Sequence, residues 1–126
     1  MTTWFITGAS RGFGHAVAAE ALRRGDRVVA TARNTDTLTD LAELGGERLL
    51  ALPLDVTDAE QVRTAVRTAL EQAGPIDVLF NNAGIGYFAA VEESDEAEVR
   101  RMVEINVFGL AAVTTALNLA DRKSVV

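Results

Sequence analysis

The chain has 126 residues, 48% hydrophobic and 24% charged, which is one domain's worth of an ordinary water-exposed globular fold. Its net charge of −6 argues against a general nucleic-acid binder, since phosphate backbones are held by basic surfaces, but leaves room for a local basic pocket. With no cysteine and a single histidine, His15, neither a disulfide framework nor a thiolate or histidine-rich metal site is expected.

Trp4-Phe5-Ile6-Thr7 is a short β-prone run that ends in glycine. Phe13 to Arg24 follows as a helix with Val17, Ala18, Ala21 and Leu22 on one face, stopped by Gly25. Arg27 to Thr31 reads as the second strand, and Asn34 to Leu44 as a shorter helix closed by Gly45-Gly46. Leu49 to Leu54 is the third strand, although Pro53 gives up a ladder donor inside it. Thr57-Asp58-Ala59-Glu60 reads as a capping box, with Thr57 taking one free amide and Glu60 reaching back to another. The helix behind it puts Val62, Ala65, Val66, Ala69, Leu70 and Ala73 on one face before Gly74-Pro75 ends it. Ile76 to Phe80 is the fourth strand. A last helix begins near Ser94 or Asp95, where Glu92, Glu93, Asp95, Glu96 and Glu98 complement its positive end.

The order is β-α-β-α-β-α-β-α, and several strands are continuous apolar runs, as in sheets covered on both faces. Right-handed crossovers with a reversal after the third strand give an α/β, doubly wound parallel sheet of order 3-2-1-4. The turn after the first strand carries Gly8, Gly12 and Gly14 within Thr7-Gly8-Ala9-Ser10-Arg11-Gly12-Phe13-Gly14. Gly8 lets the chain leave the strand sharply, Gly12 lets bare backbone approach a pyrophosphate, and Gly14 lets the helix pack close to the sheet. A helix N-terminus there offers free N–H groups to phosphates, which makes this a dinucleotide-binding turn of Rossmann type.

The spacing G-x-x-x-G-x-G, with Asn81-Asn82-Ala83-Gly84 after the fourth strand, Asp55-Val56 after the third and Asn106 in the last helix, resembles the short-chain dehydrogenase/reductase family. The resemblance covers nearly the whole chain. It implies that residues 1–126 form a single, partial NAD(P)-binding domain, bound to a nicotinamide dinucleotide through Thr7, Gly8, Ser10, Arg11, Gly12, Phe13 and Gly14. It implies that Asp55 holds the adenine amino group and the backbone of Val56 supports the ring. Asn82, Ala83 and Gly84 line the nicotinamide-ribose side, and Asn106 helps hold a water of the catalytic proton relay. From the residues alone, Asp55 can also be a solvated strand-end aspartate, Asn81-Asn82 a plain Asx turn, and Asn106 a satisfied core asparagine. Asn106 lies within the stripe Val99, Val103, Leu110, Val113 and Leu117.

Coenzyme choice is read after the second strand, where an acid would bind the 2′-hydroxyl of NAD. Thr31-Ala32-Arg33 has none, and Arg33 with Arg11 suits the 2′-phosphate of NADP. The family's catalytic serine and Tyr-x-x-x-Lys do not occur: the only tyrosine, Tyr87, is followed four residues on by Val91 and is read as part of the cleft wall. The expectation is an oxidoreductase part for hydride transfer between carbonyl and alcohol, incomplete and inactive alone. The alternative is a non-catalytic dinucleotide-binding or protein-interaction module. Truncation would leave the fourth strand as a long apolar edge and uncover the last helix, inviting self-association. The start lacks the marks of a signal peptide, and no run of about 18 apolar residues is apparent, so no membrane span is expected and the cytosol is the default compartment.

Overall fold

A computed structural model describes residues 1–120. The sheet is fully parallel, with β1 (Thr3–Ile6), β2 (Arg27–Ala32), β3 (Leu49–Pro53) and β4 (Val78–Phe80) in the order β3-β2-β1-β4. That is the expected doubly wound Rossmann arrangement. Pro53 is tolerated because it is the last residue of an edge strand. The helices are α1 (Gly12–Arg23), α2 (Thr39–Gly45), α3 (Ala59–Ala73), α4 (Glu96–Val103) and α5 (Leu110–Ala120). A short 3-10 turn, Thr35–Leu38, precedes α2, and a π-helical stretch, Glu104–Gly109, joins α4 to α5.

Alternation along each strand divides the core into layers. Ile6, Val28 and Ala30 point to the side covered by α1 and α2, where they meet Ala18, Leu22, Leu38 and Leu41. Phe5 and Val29 point to the other side, against Val62, Val66 and Ala69 of α3 and Val113 and Leu117 of α5. Side-chain bonds tie the lower ends of the strands together. The Thr3 amide donates to Asp77, and Asp26 accepts from the Thr2 amide and the Trp4 indole, which holds its carboxyl below the usual range.

The capping box is corrected. Asp58, not Thr57, caps α3, its carboxylate accepting from the amides of Glu60 and Gln61. Thr57 is drawn away because its hydroxyl and amide both bond Asp55, and Glu60 pairs with Arg63 instead of reaching back. Asp95, the second of the proposed starts, caps α4 through the Ala97 amide. The fourth strand is also shorter than expected, only three residues long. Ile76 is buried in the core ahead of it rather than paired in the ladder.

The expected apolar stripe of the last helix is buried only toward its end. Val113 is fully buried, Leu117 nearly so, while Val103, Val107, Phe108 and Leu110 are exposed. The π stretch changes the helical phase between the halves, so residues spaced for one straight face no longer share it. The expectation about apolar runs is corrected too. Glu96–Ala120 is, by length and composition alone, long and apolar enough to cross a membrane, with a window of mean hydropathy 1.5. Here 17% of that window is buried, chiefly on α5, and Asn81 donates to the Thr114 hydroxyl at 3.0 Å.

Gly109 ends the π stretch, and a Cβ there would stand 2.5 Å from Cγ2 of Val56. The missing side chain is therefore what lets the helix reach the turn after β3. Gly109→Ala is expected to destabilise the fold by about 1–3 kcal/mol through overpacking. Urea denaturation would read this as a lower midpoint at unchanged slope; an unshifted midpoint would show that Val56 yields freely.

Candidate coenzyme site

The first turn is shaped by what its glycines leave out. Gly8 and Gly12 have φ of 65° and 62°, the left-handed region that side chains disfavour. A Cβ on Gly12 would meet nothing within 4 Å, so the backbone lies bare toward open space. At Gly14 a Cβ would stand 2.5 Å from the Asn82 side-chain nitrogen, so α1 can seat here only without one.

The turn after β4 is bonded directly to this glycine turn. The Thr7 hydroxyl accepts from the amides of Asn82 and Ala83, each at 3.0 Å. Asn82 Nδ2 donates to the Gly8 carbonyl at 3.0 Å. Thr7 is buried, and its partners Asn82 and Ala83 are half-buried at the edge of the turn. The Asx-turn reading of Asn82 is thus replaced by a cross-strand brace.

The last helix grips the same segment from the other side. Asn106 donates from Nδ2 to the Ile85 carbonyl at 2.7 Å and accepts at Oδ1 from the Ile85 amide at 2.9 Å. Both of its polar ends are satisfied, as the core-asparagine reading requires, and they are spent on the backbone beyond Gly84.

Between these elements lies a cavity of about 810 Å³, in the size range of small-ligand sites. Gly8, Ser10, Arg11, Gly12, Phe13, Arg33, Asp55, Val56, Asn82, Ala83 and Gly84 all line it. It opens at the end of the sheet where β1 separates β2 from β4, the point of reversal at which such sheets bind ligands. Thr7, Gly14 and Asn106 stand behind the wall and hold it in shape. Tyr87 is not on the wall, contrary to expectation; its hydroxyl accepts from the Asp95 amide at 2.9 Å and so tethers the start of α4. His15 takes a half-exposed helix position and meets Asp40 Oδ2 at 2.6 Å, joining α1 to α2 and lowering the Asp40 carboxyl.

Asp55 Oδ1 accepts from the Thr57 hydroxyl at 2.6 Å and the Thr57 amide at 3.0 Å. Those bonds hold its carboxyl below the ordinary range against the cost of burial, with lesser help from the charges of Arg33 and Arg101. The group is therefore an ionised acceptor at neutral pH, and no described residue bonds its Oδ2.

The wall formed by α4 and the start of the π stretch is absent from the sequence reading. Ala97, Arg100, Arg101, Glu104 and Ile105 line the cavity. Their spacing of i, i+3, i+4, i+7 and i+8 is a helical face and could have found them, had the face been read for polar residues as well as apolar ones.

The family profile of the short chain dehydrogenases matches residues 2–124. The chain belongs to that family. Among curated relatives, the oxidoreductase BOA17 of Botryotinia fuckeliana is 48% identical over 115 residues, covering 90% of this chain and 42% of the relative. An oxidoreductase of Schizosaccharomyces pombe, C162.03, is 39% identical, over 94% of this chain and 39% of that protein. Among solved structures, a short-chain dehydrogenase from Streptomyces avermitilis superposes with a TM-score of 0.92 at 43% identity, over 98% of this chain and 46% of the other. An alcohol dehydrogenase from Thermococcus sibiricus, complexed with 5-hydroxy-NADP, gives 0.91 at 37% identity, over 98% and 55%. The chain thus spans about two-fifths of these curated relatives and about half of these solved chains.

The Thr7 brace has a measurable weight. Thr7→Val keeps the shape but strands the Ala83 amide, whereas the Asn82 amide retains the Phe80 carbonyl at 3.0 Å. An unsatisfied buried amide costs about 1–3 kcal/mol. Chemical denaturation is expected to show a loss of that size for Thr7→Val and to recover most of it in Thr7→Ser, which keeps the acceptor. Equal losses in both variants would assign the effect to packing instead.

Proposed function

We propose that this chain is the NADP(H)-binding part of an oxidoreductase that moves hydride between a carbonyl and an alcohol. The observation that carries this reading is the cavity itself. It joins a bare glycine turn at a helix N-terminus to an ionised Asp55, and its rim holds Arg11 and Arg33 with no acid at the end of β2. The residues fit a dinucleotide along its length. The N–H groups of the Gly12 turn face the pyrophosphate. Asp55 would accept from the adenine amino group, with the Val56 backbone supporting the ring. Arg33 and Arg11, neither of which forms an ion pair among the described residues, meet the 2′-phosphate. The solved Thermococcus alcohol dehydrogenase carries an NADP analogue on the same fold, which supports this choice.

Bound NADPH supplies the hydride. The chain's own residues position it: Asn82, Ala83 and Gly84 shape the nicotinamide-ribose side, and Asn106 fixes that segment through Ile85. A proton must also reach the developing alkoxide. Tyr87 is occupied with Asp95, and the Ser and Tyr-x-x-x-Lys that the family uses are not among the 126 residues. Turnover therefore needs groups supplied from beyond them.

Equilibrium titration by fluorescence or calorimetry is the direct test. Hydrogen bonds to charged groups contribute roughly 1.5–3 kcal/mol, and exposure at the rim pulls this to the low end, so a preference of about tenfold for NADPH over NADH is expected. Ala32→Asp with Arg33→Ala should reverse it, and the same samples should show no oxidation of NADPH by a simple aldehyde. Equal affinity for the two coenzymes would reduce Arg33 to a surface residue and sink the NADP assignment.

We also propose that the chain associates with itself through the β4 edge and the uncovered part of the last helices. Phe88, 98% exposed, lies near this edge in sequence, and Val107 and Phe108 add apolar surface. Sedimentation at tens of micromolar is expected to show species larger than a monomer; a clean monomer throughout would remove this part of the reading.

A further inference from the structure

The cavity is basic although the protein is acidic. Four arginines line it, Arg11, Arg33, Arg100 and Arg101, against the carboxylates of Asp55 and Glu104, in a chain of net charge −6. The two arginines of α4 are not equivalent. Arg100 is bound to Glu96, one turn back on its own helix, at 2.8 Å. Arg101 forms no ion pair among the described residues, and Glu104, on the same wall, takes none either. Arg101 and Arg33 come from separate elements, α4 and the end of β2, yet both line the cavity that holds the Asp55 carboxylate. Asp55 has Oδ1 committed to Thr57 and pairs with neither guanidinium among the described residues. The arrangement therefore has cationic capacity left over at the base-binding end.

We propose that Arg101 is a further determinant of coenzyme choice, bringing a second guanidinium from α4 to the 2′-phosphate that Arg33 approaches from β2. The assignment rests on the NADP reading of the cavity and extends it to a residue on the opposite wall. A phosphate dianion has acceptor oxygens for more than one guanidinium, and planar forks on separate walls can engage different oxygens. Arg101 is exposed, so its contribution is that of a solvated ion pair. Removing it should weaken a 2′-phosphorylated ligand by about fivefold, the upper range for such pairs. The effect should shrink with added salt, because exposed charges are screened.

The probes are adenosine 2′,5′-bisphosphate and adenosine 5′-monophosphate, which differ only in the 2′-phosphate. They are titrated into the wild-type chain, Arg101→Ala, Arg101→Lys and Arg33→Ala, with circular dichroism confirming the fold. Expected is a loss of about fivefold for the bisphosphate alone in Arg101→Ala, most of it restored in Arg101→Lys. An equal loss for both nucleotides would place Arg101 at the base or in the wall and overturn the assignment. So would no loss for either, while a wild-type preference for the bisphosphate that falls in Arg33→Ala would keep the NADP reading intact. A wild-type chain that binds both probes equally would overturn the NADP reading and the role of Arg101 together.

Discussion

Everything at this site hangs on one knot of hydrogen bonds between the ends of β1 and β4. The Thr7 hydroxyl receives the amides of Asn82 and Ala83, and the Asn82 side chain returns to the Gly8 carbonyl. These strands are sheet neighbours but lie far apart in sequence, so the bonds fix a long-range contact rather than a local turn. The knot also explains Gly14. The space its Cβ would need is occupied by the Asn82 amide, so the seat of α1 and the brace of β4 are a single steric arrangement. A phosphate-binding turn must present its N–H groups in a fixed direction. Here the direction is set by a brace anchored on Thr7 behind the wall, while Gly8, Asn82 and Ala83 are themselves part of the lining.

The second wall is built on a different principle. α4 and α5 are joined through a π stretch and held to the sheet side at separate points. Asn106 clamps the backbone of Ile85, Gly109 fits against Val56, and Thr114 receives Asn81. Two of these points act on the segment after β4 and one on the turn after β3. The helix therefore spans the crevice and couples its two lips. A straight α-helix would put Val103, Leu110, Val113 and Leu117 on one apolar face. The π stretch interrupts that regularity, and Asn106 within it bonds Ile85.

The parts legible in the sequence were those fixed by local chemistry or by strong periodicity. Strand order followed from alternation and chirality, and the glycine turn from a spacing with few other uses. The parts not legible depended on competition between partners. Thr57 has the right chemistry for a cap, but Asp55 is a charged acceptor two residues away and wins both its donors, which leaves the cap to Asp58. The position of Tyr87 after the Asn-Asn-Ala-Gly turn points to the wall, but its hydroxyl is claimed by the Asp95 amide. The apolar Ile76 suggests a longer β4, but apolarity does not distinguish a ladder residue from one buried just before the ladder begins. The lining face of α4 is mostly polar, and an apolar stripe does not reveal such a face.

The charge distribution shows why the rim arginines must act at short range. The chain is acidic overall, so its distant field repels a dinucleotide that carries several negative charges. At about 0.1 M salt that repulsion fades beyond roughly 10 Å, and what a bound phosphate meets is set by the groups within that distance. Within the cavity the balance is reversed, with arginines outnumbering carboxylates. Asp55 and Glu104 offset only part of this excess, since four arginines line the same cavity. One carboxylate can thus accept from a base amine while cations beside it remain available to a phosphate, and a site for a polyanion can sit on a protein of the same sign without drawing on the net charge at all.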